Sequence, residues 1–280
     1  MFSIRVALAL GATILAGSTL SASAADLYGG GLKDGSYVQD VPSGPSGWYL
    51  RADGAWASYS VDDIGLLDMG LINAPSTFIN NRGSIDSGWS VGGGVGRYLG
   101  MGFRGDLTLE YRTSTQVSGS ADACCALGTS TDVDGAVGLA NLYYDFNRGA
   151  RIVPYLGAGI GFAHLETKGG TLACTTACGA NFGPATYGGE STTNFAVAAM
   201  AGFSWRIAGS EPVYYGGGMK DGPVMAASGR ALYLDVGYRY LYLGDVEGGT
   251  AVQANTNEIK LGWDSLQAHE VRAGLRYDLN

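Results

Sequence analysis

The stretch LYLDVGYRYLYLGD, residues 232–245, sets charged residues directly among large apolar and aromatic ones. An unpaired charge in a soluble core costs several kcal/mol, on the order of a small domain's whole stability. Every second residue resolves the conflict: Leu232, Leu234, Val236, Tyr238, Tyr240 and Tyr242 fall on one face, and Tyr233, Asp235, Gly237 and Arg239 on the other. A period of two marks a strand that separates two environments.

Seven further segments repeat the pattern. They are WYLRADGAW (48–56), WSVGGGVGRYL (89–99), FRGDLTLEYR (103–112), AVGLANLYYDF (136–146), IVPYLGAGIGFAH (152–164), NFAVAAMAGFSWR (194–206) and HEVRAGLRYDLN (269–280). The third is the clearest, with Phe103, Leu107, Leu109 and Tyr111 opposing Arg104, Asp106, Thr108, Glu110 and Arg112. The glycine runs GGGVG and GVGRY lie within a strand and precede no helix. They read as small residues that make room on one face, not as phosphate loops.

The distribution of charge over the two faces decides the fold. One face carries Arg51, Arg104, Arg112, Arg239, Arg272 and Arg276 together with Asp53, Asp106, Glu110, Asp145, Asp235 and Glu270. The apolar faces carry no charge in their central portions. A soluble sandwich or lipocalin-like carrier would place apolar groups inside and polar groups outside. Here the apolar faces suit lipid, where a mid-depth Lys or Arg costs ~2–4 kcal/mol, and the charges suit an interior in which they pair. Hydrocarbon offers no hydrogen-bond partner, so strands in it must close on themselves. The expectation is an all-β fold, an eight-stranded antiparallel transmembrane β-barrel. Its lumen would be filled by side chains. Trp48, Trp56, Trp89, Tyr111, Tyr144, Tyr238, Tyr242 and Tyr277, near segment ends, would form aromatic girdles.

Residues 1–24 fit a signal peptide: Arg5, the apolar run 6–17 and Ala22-Ser23-Ala24 before a cut at Ala25. Residues 25–46 then form a periplasmic N-terminal segment and 47–280 the barrel. Beyond the signal no apolar run approaches the ~18 residues of a spanning helix. The remaining 16 basic and 25 acidic residues give a net charge of −9, which argues against nucleic acid as a partner. With 47 glycines, 17 tyrosines and 15% charged residues, the composition is that of neither a disordered nor a helical chain.

The connections alternate in length. Those at 57–88, 113–135, 165–193 and 244–268 are long, while Gly100–Gly102 and Asn147–Arg151 are tight. Outer-membrane barrels have long extracellular loops and short periplasmic turns. The sixth connection, 207–230, is too long for the rule. It contains YYGGGMKDGPVM (214–225), a second copy of YGGGLKDGSYV (28–38). Both copies fall on the periplasmic side, as a contact to peptidoglycan or to each other, or as a glycine-rich spacer.

GWYLRADGAW, LTLEYR, NLYYDF, PYLGAGIGFAH, LDVGYRYLYLGD and the terminal HEVRAGLRYDL closely resemble the alpha-proteobacterial outer-membrane surface-antigen family. These are the rhizobial and Brucella-type porin-family barrels, related in shape to OmpA and OmpX. The resemblance runs from about residue 47 to 280. It implies an eight-stranded barrel in the outer membrane of a Gram-negative bacterium, with both termini in the periplasm and no fixed catalytic set. Such barrels usually finish on an aromatic residue. This chain ends Leu279-Asn280, which leaves assembly recognition to Tyr277 and Leu279.

The functional expectation is a surface protein with a structural, envelope-integrity and interaction role, its axis plugged by charge pairs. The partners would be outer-membrane lipid and lipopolysaccharide, and peptidoglycan through the periplasmic segments. The alternatives are a narrow channel for small solutes or ions, and loop-mediated ligand or host binding such as haem capture or adhesion. An enzyme acting on lipid A would need a nucleophile beside a base. Only His164 and His269 are available, with Ser191 or Ser265 as nucleophiles, and no spacing joins them, so no catalytic residue, cofactor or metal site is expected. Cys124, Cys125, Cys174 and Cys178 lie in two long connections. An oxidising compartment and an even count favour disulfides. Links between the two loops are preferred, and Cys174 to Cys178 is the alternative; a metal site would lack neighbouring histidines. Mass mapping of non-reduced peptides should find the cysteines paired, and four free thiols would refute the disulfides.

Overall fold

The computed structural model describes residues 47–61, 63–68, 81–122, 126–146, 150–174, 185–209, 213–215, 224–226, 230–252 and 258–279. The signal peptide, the segment 25–46, the first copy of the repeat, Cys124, Cys125 and Cys178 lie outside these residues. Eight long strands make the architecture. They are β1 (Trp48–Ser60), β2 (Gly88–Gly100), β3 (Phe103–Asp122), β4 (Ala126–Asp145), β5 (Ile152–Thr167), β6 (Glu190–Gly209), β7 (Ala231–Val252) and β8 (Glu258–Leu279). Each pairs antiparallel with the next. The last pairs with the first, Trp48 opposite Leu279 and Ser60 opposite Gln267, which closes the ring. Closure leaves no unpaired sheet edge in the hydrocarbon.

Side chains alternate as the sequence pattern requires. Leu50, Leu107, Leu109, Leu142, Leu156, Ile160, Val197, Val236, Val271 and Leu275 point outward and are exposed, whereas Arg104, Asp106, Glu110, Arg239 and Glu270 between them are buried. The aromatic residues form two belts. Trp48, Tyr144, Trp205 and Tyr277 lie toward the short-turn end, and Trp56, Trp89, Tyr111 and Tyr238 toward the other. At ~3.3 Å per residue and a strand tilt of about 40°, the belts bound an apolar band roughly 20 Å tall. Arg97 and Arg151 lie at the short-turn end, each guanidinium within 6 Å of an indole, over Trp48 at 5.7 Å and over Trp205 at 5.9 Å. There a cation reaches the headgroup level while its stem stays in contact with the belt.

The turn between β2 and β3 is built from three residues in the left-handed region: Gly100 (φ 90°), Met101 (φ 49°) and Gly102 (φ 86°). A Cβ on Gly102 would come within 2.7 Å of the Tyr144 ring, so glycine is required there for space as well as for conformation. In the sixth connection Val213–Tyr215 pairs antiparallel with Val224–Ala226, two short strands that include the ends of the second repeat copy.

The sequence expectation is corrected at the other end. The stretches 113–135 and 244–268 are largely strand: β3 and β4 stay paired to Asp122 and Ala126, and β7 and β8 to Val252 and Glu258. β7 and β8 are 22 residues each, about twice the ~9–11 residues that cross a membrane. Short strands add to this protruding wall, Asp63–Asp68 beside β8 and Asn81–Ile85 beside β3. Above the bilayer, pairing satisfies backbone groups as well as water does, and the Thr-, Ser- and Val-rich segments favour it.

An outward charge discriminates this arrangement from a soluble barrel. Leu109→Arg, in mid-strand, should lower stability in lipid vesicles by about 2–4 kcal/mol, and Leu99→Arg beside the turn by about 0–1 kcal/mol. Urea unfolding followed by gel migration reads both, and equal costs would refute the assigned depth.

Candidate functional site

The lumen is filled by a network of ion pairs that all twelve sequence-selected charges enter. Its densest part joins strands on opposite sides of the ring. From β7, Arg239 gives Nη1 and Nη2 to the two oxygens of Glu110 on β3, at 2.8 and 2.5 Å, and Nε to Glu270 on β8 at 2.6 Å. Arg272 adds a 2.6 Å bond to Glu110, and Arg112 an ion pair of 2.7 Å to Glu270. Three arginines therefore enclose two glutamates, and all five side chains are at most 10% exposed.

Toward the short-turn end, Arg51 chelates Asp53 at 2.7 and 2.8 Å and reaches Asp106 and the Tyr143 hydroxyl at 2.8 Å each. Asp106 also accepts from Tyr49 at 3.0 Å and from Asn141 at 2.8 Å. Arg104 pairs with Asp145 at 2.9 Å, with its guanidinium 4.0 Å from the Tyr143 ring centroid and 5.1 Å from that of Tyr155. Arg276 binds Asp235 at 3.1 Å and donates to the Tyr98 hydroxyl, which in turn donates to Asp278 at 2.9 Å. Charges removed from water are tolerable only when each has such partners.

Alternation sets tyrosines such as Tyr233 on the charged faces, but sequence reasoning gave the lumenal tyrosines no part in the network. Tyr49, Tyr143 and Tyr155 are buried inside and give the arginines both hydroxyl acceptors and ring faces. The signal was present: these tyrosines share strand parity with the charges. Facing glycines admit them, since a Cβ at Gly96 would lie 2.2 Å from the Tyr49 ring and one at Gly157 2.5 Å from Tyr143. Arg206 and Asp278, also inward by parity, extend the polar interior to the short-turn rim.

Above Arg112 the lumen changes character. Bulges interrupt β3 between Arg112 and Thr115 and β7 between Tyr242 and Gly244, and β8 is irregular at Ser265, whose φ is 58°. Each inserts residues that swap the two faces. Thr115, Val117, Val246 and Trp263 thereby turn inward and join Leu165, Leu243 and Leu266 in an apolar upper core. The bulges are held by side chains: Asn194 Nδ2 donates to the carbonyl of Leu243 at 3.0 Å, and the Ser265 amide to Asp245 at 2.9 Å. Within this core lies a half-open cleft walled by Val117, Leu165, Leu243, Val246 and Leu266. Arg112 and Trp263 both line it, and each keeps a buried N–H group, Nη1 and Nε1, without a hydrogen-bond acceptor. Asp134 at its side is paired with Lys168 at 3.0 Å, and that hydrogen bond raises the lysine's pKa.

The two histidines lie on the outer face near the upper belt. His164 Nδ1 is 2.8 Å from the Thr193 hydroxyl, and His269 Nδ1 is 2.6 Å from that of Tyr238. Ser191 stands opposite Glu166 in register, and the Ser265 amide donates to Asp245. Cys174 ends a short strand, Gly170–Cys174, paired to β4 with Cys174 opposite Leu127. That pairing sets the stem of one cysteine-bearing loop against the other. Among the described residues no group of three or more His, Cys, Asp or Glu could hold a metal ion.

A closed ring of eight antiparallel strands, apolar outside and ion-paired inside, is a barrel of the outer-membrane type. The chain is similar to alpha-proteobacterial proteins: an uncharacterized protein of Brucella abortus (strain 2308) is 28% identical over 300 residues, covering 93% of this chain and 94% of the relative, and one of Brucella suis biovar 1 matches to the same extent. Its fold is similar to the crystal structure of Neisserial surface protein A (18% identity, 84% of this chain and 98% of that one, TM-score 0.40). It is also similar to that of the outer membrane protein OprG from Pseudomonas aeruginosa (11% identity, 84% and 98%, TM-score 0.46). No family model matches the sequence.

Removing the central cation leaves two buried carboxylates short of a partner. Arg239→Met should destabilise the barrel by about 3–5 kcal/mol. Arg239→Lys should recover only part of that, because an ammonium cannot make the two-nitrogen contact to Glu110. Urea midpoints in vesicles measure both, and a neutral Arg239→Met would show that the network carries no stability.

Proposed function

We propose that this chain is a sealed outer-membrane barrel whose role is structural and interactive at the cell surface. The observation that carries the reading is the contact of Arg239 with Glu110 and Glu270. It spans the lumen from β7 to β3 and β8 with all of these side chains buried. An ion crossing the axis would have to separate charges held at 2.5 to 2.8 Å in a low-dielectric interior. An eight-stranded lumen has no spare width beside them.

In this reading the short turns face the periplasm and the protruding strands the exterior, with lipopolysaccharide around the outward apolar band. The paired strands of the sixth connection, which hold the ends of the second repeat copy, would then lie on the periplasmic side, where peptidoglycan is the proposed contact. The long-loop end presents Asp245, Glu247 and Asp264 as exposed acidic groups, the surface from which a loop-mediated interaction with a ligand or host would start.

Planar-bilayer recording of the purified protein tests the sealed axis. The expected record is free of reproducible conductance steps for the native chain, with steps appearing in a Glu110→Ala/Arg239→Ala variant that still migrates as a folded barrel. Large reproducible steps from the native protein would overturn the reading in favour of a channel.

A further inference from the structure

We infer that two outward pairs at the short-turn end, Arg97 with Trp48 and Arg151 with Trp205, are binding sites for the phosphate of an anionic phospholipid, one lipid to each pair. The inference needs only a barrel that crosses a bilayer, whichever way round, and is independent of the sealed axis.

Each site is a cation where the fold supplies no anion. Arg97 shares strand parity with Val91 and Leu99, both exposed on the lipid face, and its register neighbours are Trp48 on β1 and Gly105 on β3. Met101, at the tip of the adjoining turn, is 94% exposed, so apolar side chains continue past the arginine to the rim of the barrel. Arg151 stands just before β5, where its carbonyl accepts from the Arg206 amide at 3.0 Å, beside the outward Ile152 and Trp205. Both arginines are exposed, and among the described residues neither has an ion pair. The carboxylates at this end are committed inside the lumen: Asp145 to Arg104, Asp235 to Arg276 and Asp278 to the Tyr98 hydroxyl. A guanidinium on the lipid face is left to pair with the anions of the membrane itself.

The geometry suits a phosphate. Each guanidinium lies over its indole, 5.7 and 5.9 Å from the ring centroid. The ring takes one face of the cation and leaves its edge of N–H donors for a headgroup. Two parallel donors of that edge match two phosphate oxygens. Tryptophan settles at the boundary between hydrocarbon and headgroups, so a cation lying over it reaches the depth of the phosphodiester. Gly105 presents no side chain on the other flank of Arg97. The long-loop end instead exposes Asp132, Asp245, Glu247 and Asp264, so a preference for anionic lipid belongs to one belt alone.

The test is tryptophan quenching by lipids with brominated acyl chains, in vesicles that mix phosphatidylglycerol and phosphatidylethanolamine with one or the other brominated. Each variant of the mature chain keeps one lipid-facing tryptophan and the buried Trp263, with phenylalanine at the other tryptophan positions. Phosphatidylglycerol should be favoured by about fivefold at Trp48 and at Trp205, with no preference at Trp56 or Trp89. Arg97→Gln should remove the preference at Trp48 alone, and Arg151→Gln that at Trp205 alone. Where a variant loses the heat-modifiable migration of a folded barrel, native mass spectrometry of the chain with its tryptophans intact takes over: two retained phosphatidylglycerol molecules should fall to one in either single variant and to none in Arg97→Gln/Arg151→Gln. Equal quenching by both lipids at Trp48 and Trp205, the same preference at both belts, or a preference that survives loss of its arginine would overturn the sites. Loss of the preference on adding inorganic phosphate at constant ionic strength would overturn the lipid as occupant.

Discussion

Arg239 is the cation on which the interior closes. It comes from β7, takes both oxygens of Glu110 on the opposite strand β3, and holds Glu270 on its neighbour β8. Hydrocarbon outside the barrel pulls every large apolar side chain outward, and the alternation of a strand then delivers the remaining half of the residues to a space with neither lipid nor bulk water. Those residues must satisfy one another. The arrangement of charges by strand is the solution: β3 supplies alternating Arg, Asp, Glu and Arg along its inner edge, and partners arrive from β1, β4, β7 and β8 at matching heights.

The same constraint explains the glycines and tyrosines. A narrow ring cannot hold a long side chain at every inward position, so bulk on one strand is met by its absence on the next. Tyr49 faces Gly96 and Tyr143 faces Gly157, in registers where any Cβ would strike the ring. Tyrosine is well suited to the larger member because its ring accepts a guanidinium on its face and its hydroxyl completes the hydrogen bonding, as at Arg104 and Arg51. A composition heavy in Gly and Tyr is thus the interior packing of the lower barrel expressed as counts.

How much of this was legible follows from parity. Within the bilayer, the side of each residue could be read from the sequence because lipid imposes an apolar identity on every second position; the charges at 104, 106, 110, 112, 235, 239, 270, 272 and 276 all face inward as alternation requires. Above Arg112 the rule loses its reference. Both faces there meet protein or water, and the irregularities at 112–115, 242–246 and 263–266 exchange the faces without a sequence mark as strong as a proline or a charge reversal. Val117, continued from Arg112 by parity, would point outward; in the structure it is buried. The upper core and its cleft therefore carry no sequence mark, and the paired extensions of β3, β4, β7 and β8 read as loops.

The two halves of the lumen have consequences for each other. Ion pairs below give the cleft a rigid polar floor, since Arg112 is held by the Tyr59 hydroxyl at 3.0 and 3.1 Å and by Glu270. Apolar residues above keep water from the carboxylates, which strengthens the pairs they cover. Passage along the axis below Arg112 would mean breaking the contact between Arg239 and Glu110. In a barrel built in this way the five side chains that tie opposite strands together are the ones that fill its axis.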